Sequence, residues 1–101
     1  MIFFEKLFLL LFAHCLSDYV FQNDFMARGK RRKFNKYWYI MLLAHSIING
    51  GFVYLFIGNI YLGFLEIGIH FIIDFLKCEE KIDLQVDQTL HVISKIIYTI
   101  F

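Results

Sequence analysis

Cysteine is scarce in this chain: Cys15 and Cys78 are the only two. They form neither a disulfide framework nor a Cys-x-x-Cys metal clip, and Cys15 reads as a small apolar filler within a helix. Proline is absent, and ten basic against nine acidic residues leave a formal net charge of +1. With so little excess of one sign there is no bulk field to attract nucleic acid, and no nucleic-acid partner is expected. The start, MIFFEKLFLLLFAHCLSDYVFQ, lacks a basic leader region and places His14 and Asp18 where a secretory signal carries plain hydrocarbon. A membrane helix is therefore expected there, not a cleaved leader. No internal repeat stands out, so a single domain is expected. Ser17, Ser46 and Ser94 have no base and orienting group arranged around them, which argues against a serine nucleophile.

Apolar material, by contrast, is abundant. Of 101 residues, 59% are hydrophobic and 20% aromatic, and the mean hydropathy is +0.61. A soluble domain of this size buries only about 60–65% of its unfolded surface, too little to hide that load. The composition points to an integral membrane protein of several spans, with a soluble helical oligomer as the competing class. Self-association within the membrane is left open.

Four helices are expected, over about residues 2–22, 37–57, 60–77 and 85–101. Each approaches the roughly 17–25 residues that span hydrocarbon, the last being the shortest and most interrupted. The expected fold is all-α: a four-helix transmembrane bundle, up-down-up-down, forming one integral membrane domain over 1–101. Between the first two helices lies NDFMARGKRRKFNK, the basic loop 23–36, holding Arg28, Lys30, Arg31, Arg32, Lys33 and Lys36. The excess of positive charge places this loop in the cytoplasm, against anionic lipid headgroups, with both termini on the far side. Gly58-Asn59 reads as a tight turn.

Each expected helix carries one histidine: His14, His45, His70 and His91. Three of them have an aspartate four positions away, as His14/Asp18, His70/Asp74 and Asp87/His91. Spacing of four puts both side chains on one helix face. Helices one and three run inward and read His-x-x-x-Asp, whereas helix four runs outward and reads Asp-x-x-x-His. The order reverses where the direction reverses, so every aspartate lies on the cytoplasmic side of its histidine. At 1.5 Å per residue, the histidines fall roughly 10–13 Å and the aspartates roughly 4–8 Å inside the cytoplasmic helix ends. Two stacked rings result. Asn49, Glu66 and Lys95 suggest a deeper layer, in which Glu66 and Lys95 neutralise one another.

A central charge costs about 2.5–3.5 kcal/mol on membrane-insertion scales, so these groups must face inward and meet partners. A hydrogen-bonded polar core that glues helices together is the plainer reading for any one of them. For the whole set, imidazole and carboxylate from four helices make a metal-site composition. The candidate ligands are His14, Asp18, His45, His70, Asp74, Asp87 and His91. They suit one or two transition-metal ions, Zn²⁺ first and Fe²⁺ or Mn²⁺ next, better than Mg²⁺ or Ca²⁺. Carboxylates left over, Asp18 among them, are candidates for second shell or base. Lys77 follows Asp74 on the same stripe, placed to meet an anionic substrate or to snorkel. Gln22 extends His14/Asp18 by one more step and is a candidate for orienting a ligand. Gln88 sits about 100° around the helix from Asp87 and is expected to face a neighbouring helix.

The stretches AHCLSDYVFQNDFMARGK, LLAHSIING, IHFIIDFLK and VDQTLHVI, in that order, resemble the small bacterial and phage membrane proteins catalogued as domain of unknown function family 3307. The resemblance covers nearly the whole chain and implies a four-helix protein of the bacterial inner membrane, without an established reaction. Glu66 and Lys95 are not part of the resembling pattern. A looser similarity, to membrane-bound metal-dependent hydrolases with His-x-x-x-Asp pairs on transmembrane helices, is one of analogy. The leading expectation is a membrane-embedded, metal-dependent hydrolase acting at the cytoplasmic face on a lipid or phosphorylated amphiphile. Two alternatives stand beside it: a proton or metal-ion carrier or channel, and a holin-like or assembly protein whose polar core is only packing.

Overall fold

The computed structural model describes residues 2–20 and 24–101. Among them there is no strand. The chain forms α1 (Phe3–Cys15), continued by a π-helical turn (Leu16–Val20), then a short α2 (Asp24–Gly29), α3 (Trp38–Ile57), α4 (Ile60–Cys78) and α5 (Leu84–Ile100). The fold is thus all-α. The described part of the first expected helix, 2–22, is α-helical to Cys15 and π-helical over Leu16–Val20, and the expected loop 23–36 contains a helix of its own. The four longer helices close into a ring, α1 against α3 and α5, and α4 against α3 and α5, while α2 packs on α3.

Local chemistry sets the connections. Gly58 ends α3 at φ +81, a left-handed conformation that costs glycine nothing, and its N–H donates to the Tyr54 carbonyl. Asn59 then caps α4 by accepting from the Tyr61 N–H, so two residues suffice to reverse the chain. Asp83 caps α5 by accepting from Val86 N–H. Arg31 and Arg32 of the basic segment form ion pairs with Glu80 and Glu79, tying that segment to the turn between α4 and α5.

The closest helix contact is backbone on backbone. A Cβ added at Gly50 of α3 would stand 2.6 Å from the Gly63 carbonyl oxygen of α4, and one at Gly63 would stand 3.0 Å from the Gly50 oxygen. Small residues at facing positions let these two helices approach at van der Waals distance.

The bundle is divided along its length and inverted across it. Leu10, Val53, Leu62 and Tyr98 form an apolar cluster at the end away from the basic segment. At the other end the interior is polar, and among the described residues buried polar side chains outnumber buried apolar ones. Three of the long helices bury hydrophilic side chains at helical spacing: His45, Ser46 and Asn49 on α3; Glu66, His70 and Asp74 on α4; Asp87, His91, Ser94 and Lys95 on α5; α1 buries Leu10, Ala13 and His14. Large apolar side chains face outward instead, Phe8, Leu55, Tyr61, Phe64 and Ile100 each more than 60% exposed. By length and composition α3 is the one helix, among the described residues, long and apolar enough to cross a membrane. Three charged residues on α4 (Glu66, Asp74 and Lys77), the 17-residue length of α5 and the 13-residue length of α1 keep the others below that mark.

Gly50→Ala is expected to force α3 and α4 apart and cost about 1–3 kcal/mol of stability, since both Ile67 Cγ1 and the Gly63 carbonyl oxygen stand in the way. Gly51→Ala, with open space around it, should be neutral or stabilise by up to about 1 kcal/mol. Denaturant unfolding of the two variants checks the contrast; equal effects would place the close approach elsewhere.

Candidate metal centre

Three helices bring their own His–Asp pair to the centre. His14 and Asp18 lie 3.6 Å apart across the start of the π-helical turn, His70 and Asp74 3.4 Å apart on α4, and Asp87 and His91 3.4 Å apart on α5. Helix α3 supplies an imidazole without a carboxylate, and His45 Nε2 meets two from elsewhere, Asp18 Oδ1 at 3.3 Å and Asp74 Oδ2 at 3.5 Å. His91 Nε2 stands 3.3 Å from Asp74 Oδ1. Asp74 therefore touches imidazoles of three helices, and the rings of His70 and His91 lie 4.2 Å apart. The expected layers of histidine and aspartate are in direct contact, because side-chain length closes the gap between backbone heights.

These atoms fall into three groups, each of whose ligand atoms lie within 4.8 Å of one another: Asp18, His45 and His70; His70, Asp74 and His91; and Asp18, Asp87 and His91. Ligands bound at the usual 2.0–2.2 Å around a tetrahedral ion sit roughly 3.3–3.5 Å from one another. The imidazole–carboxylate distances Asp18–His45, His70–Asp74, Asp74–His91 and Asp87–His91, at 3.3–3.4 Å, match that spacing. His45 Nε2 and Asp87 Oδ1 are buried and make no hydrogen bond despite those close neighbours. Their neighbours are at ligand-to-ligand distance but not in hydrogen-bond alignment, the arrangement expected of atoms aimed at a common centre.

His14 is held one side chain away from these groups. Its Nε2 donates to Gln88 Oε1 at 2.8 Å, and the Gln88 amide donates in turn to Asp87 Oδ2 at 2.9 Å and Asp18 Oδ2 at 3.3 Å. Gln88 thus faces the neighbouring helix, as its 100° offset from Asp87 implies, and its side chain is long enough to reach Asp87 as well. Asn49 donates to Ser17 and to the His45 carbonyl and lies 3.4 Å from His70 Nε2.

A second buried ion pair backs the centre on the apolar side. Glu66 accepts from Lys95 and from the Tyr98 hydroxyl, and its Oε2 lies 3.4 Å from His70 Nδ1. The Glu66–Lys95 pairing expected from the sequence is present, and it also abuts His70.

On the opposite side Lys30, read from the sequence as part of a topology signal, is buried and bonds Asp74 Oδ2 at 3.0 Å. Nothing in its local sequence marks it, because the contact is made only when α2 folds back over the bundle end. A cleft of about 180 Å³ opens beside this pair, lined by Ala27, Lys30, Arg31, Asp74, Lys77 and Cys78. Lys77 lines this cleft and does not enter the His/Asp cluster. Gln22 lies outside the described residues.

The chain matches, over residues 6–101, the family described as a protein of unknown function (DUF3307), and it belongs to that family. No curated protein matches it, and no solved structure does.

Removing one member of a buried ion pair strands the other, at about 3–5 kcal/mol. Glu66→Gln should lower stability by that order. Glu66→Gln combined with Lys95→Met should recover most of the loss. Denaturant midpoints measure both, and a harmless single variant would contradict the burial of the pair.

Proposed function

We propose that this protein is a membrane-embedded, metal-dependent hydrolase that acts at the cytoplasmic end of the bundle on a lipid or other phosphorylated amphiphile. The observation that carries the metal is a charge mismatch. Among the described residues the interior holds four carboxylates, Asp18, Glu66, Asp74 and Asp87, against two ammonium groups, Lys30 and Lys95. With neutral imidazoles, two negative charges remain in a low-dielectric interior, a costly state. Either two imidazoles carry protons or one divalent cation enters. The donor spacing and the unbonded His45 Nε2 favour the cation.

Nitrogen and carboxylate donors suit Zn²⁺ first, then Fe²⁺ or Mn²⁺. Asp18, His45, His70, Asp74, Asp87 and His91 would hold the metal, with His14 and Gln88 orienting the two aspartates. The sharing of Asp18, His70 and His91 among the three groups leaves room for a second ion. The bound ion would supply Lewis-acid charge and an activated water. Around it the chain's own part is to hold Asp18, Asp74 and Asp87 in place and to keep the far side dry.

The inverted burial supports a lipid environment for all four long helices, in up-down-up-down order. In water, contiguous apolar patches beyond a few hundred Å² are unusual on a monomer, and the charges that lower the hydropathy of α4 and α5 point inward, away from lipid. The cluster of basic residues orients that end to the cytoplasm. The apolar plug of Leu10, Val53, Leu62 and Tyr98 favours a one-sided reaction centre over a path for protons or ions, which needs polar groups through to the far face.

Protein purified in detergent without chelator should carry about one to two equivalents of transition metal. His45→Ala and His91→Ala together should lower metal affinity at least about tenfold. Hydrolysis of a chromogenic phosphate monoester should stop on chelation and return with Zn²⁺. Less than about a tenth of an equivalent of metal in folded protein would overturn the proposal.

A further inference from the structure

We infer that the cleft between α2 and the end of α4 is a binding site for a phosphate monoester group, held by Arg31 and Lys77 beside the metal centre. The inference rests on the hydrolase reading only for the use made of the bound group; the site itself stands on the cleft.

Three cationic side chains, Lys30, Arg31 and Lys77, line this space of about 180 Å³ against a single carboxylate, Asp74. Lys30 answers Asp74 directly at 3.0 Å and Arg31 pairs with the exposed Glu80 at 3.0 Å, which leaves the Lys77 ammonium in excess. Two donor groups are uncommitted. Arg31 spends one guanidinium nitrogen on the Cys78 carbonyl and the exposed Glu80 carboxylate, but its Nε is buried and has no hydrogen-bond partner. Lys77, only half-buried on the last turn of α4, makes no ion pair among the described residues. A buried guanidinium donor left unbonded is costly, and an oxyanion satisfies it with the geometry that guanidinium forks prefer.

The placement carries the chemistry further. Asp74 is common to the cleft wall and to the His70–Asp74–His91 group, so an anion in the cleft lies next to the metal centre. A monoester fits better than a diester. The Lys77 ammonium and the unbonded Arg31 Nε–H offer a charge and a donor to its additional negative oxygen, and a cleft of about 180 Å³ suits a terminal group more readily than one substituted on both sides. The bond between Lys30 and Asp74 shields the anion from the carboxylate charge.

The test titrates inorganic phosphate into the full-length protein in detergent, with chelator present, by phosphorus NMR line broadening. Saturable binding is expected, and Arg31→Gln with Lys77→Gln should weaken it at least tenfold. Arg31→Lys with Lys77→Arg, keeping both charges, should restore most of it, and circular dichroism shows whether each variant keeps its helices. Nanodiscs containing phosphatidate in place of phosphatidylcholine provide the lipid arm. If phosphatidate displaces phosphate, the group belongs to a lipid headgroup; if only soluble monoesters do, it belongs to a soluble substrate, and either result supports the site. Unsaturable binding, or binding unchanged in the folded double glutamine variant, overturns it. Phosphate binding by protein that takes up no metal would uphold the cleft and sink the hydrolase reading.

Discussion

Asp74 is the group around which the interior is organised. One carboxylate meets imidazoles from α3, α4 and α5 and an ammonium from the basic segment. In a low-dielectric interior such a group is tolerable only when opposite charge and hydrogen bonds surround it. The ring of helices, the fold-back of α2 and the arginine ties to the α4–α5 turn all serve to bring those partners to it. The close approach at Gly50 and Gly63 has the same effect, since it draws the His45 and His70 helices together.

The polar centre and the apolar plug divide the labour between the two ends of the bundle. At the plug, Leu10, Val53, Leu62 and the Tyr98 ring pack together, and the Tyr98 hydroxyl finds its partner in Glu66. The Glu66–Lys95–Tyr98 cluster separates plug from centre and presents a carboxylate to the back of His70. A carboxylate behind a ligating imidazole is the usual way to fix which ring nitrogen faces an ion. Glu66, which is not part of the family-resembling pattern, stands 3.4 Å from His70 Nδ1, in the position such a partner would take on the proposed metal reading.

How much of this was legible in the sequence follows from how local each feature is. His70/Asp74 and Asp87/His91 are set by helical spacing alone, and the reversal of their order between adjacent helices announced that they meet. The Gly58-Asn59 reversal was readable for the same reason. Lys30 was not, because its position depends on a short helix folding back over residues distant in the chain. The 100° offset of Gln88 from Asp87 points it at the neighbouring helix, where it meets His14 and Asp18; that it also bonds Asp87 depends on its side-chain torsions. The depth estimate counted backbone rise and so separated histidines from aspartates that side chains bring into contact. The multi-span expectation rested on composition and segment length; of the described helices α3 alone meets the length and composition required, because α4 carries three charged residues and α5 has 17 residues. The π-helical turn after Cys15 has no signature in the local sequence.

The central claim is that the interior negative charge is held by a divalent cation on imidazole and carboxylate donors. X-ray absorption at the edge of the co-purified metal measures this most directly. The account predicts a shell of nitrogen and oxygen at about 2.0–2.2 Å, with the outer scattering of at least two imidazoles. A sulfur shell near 2.3 Å, which would put the metal on Cys15 or Cys78, would contradict it, as would protein that keeps its helices and holds no metal.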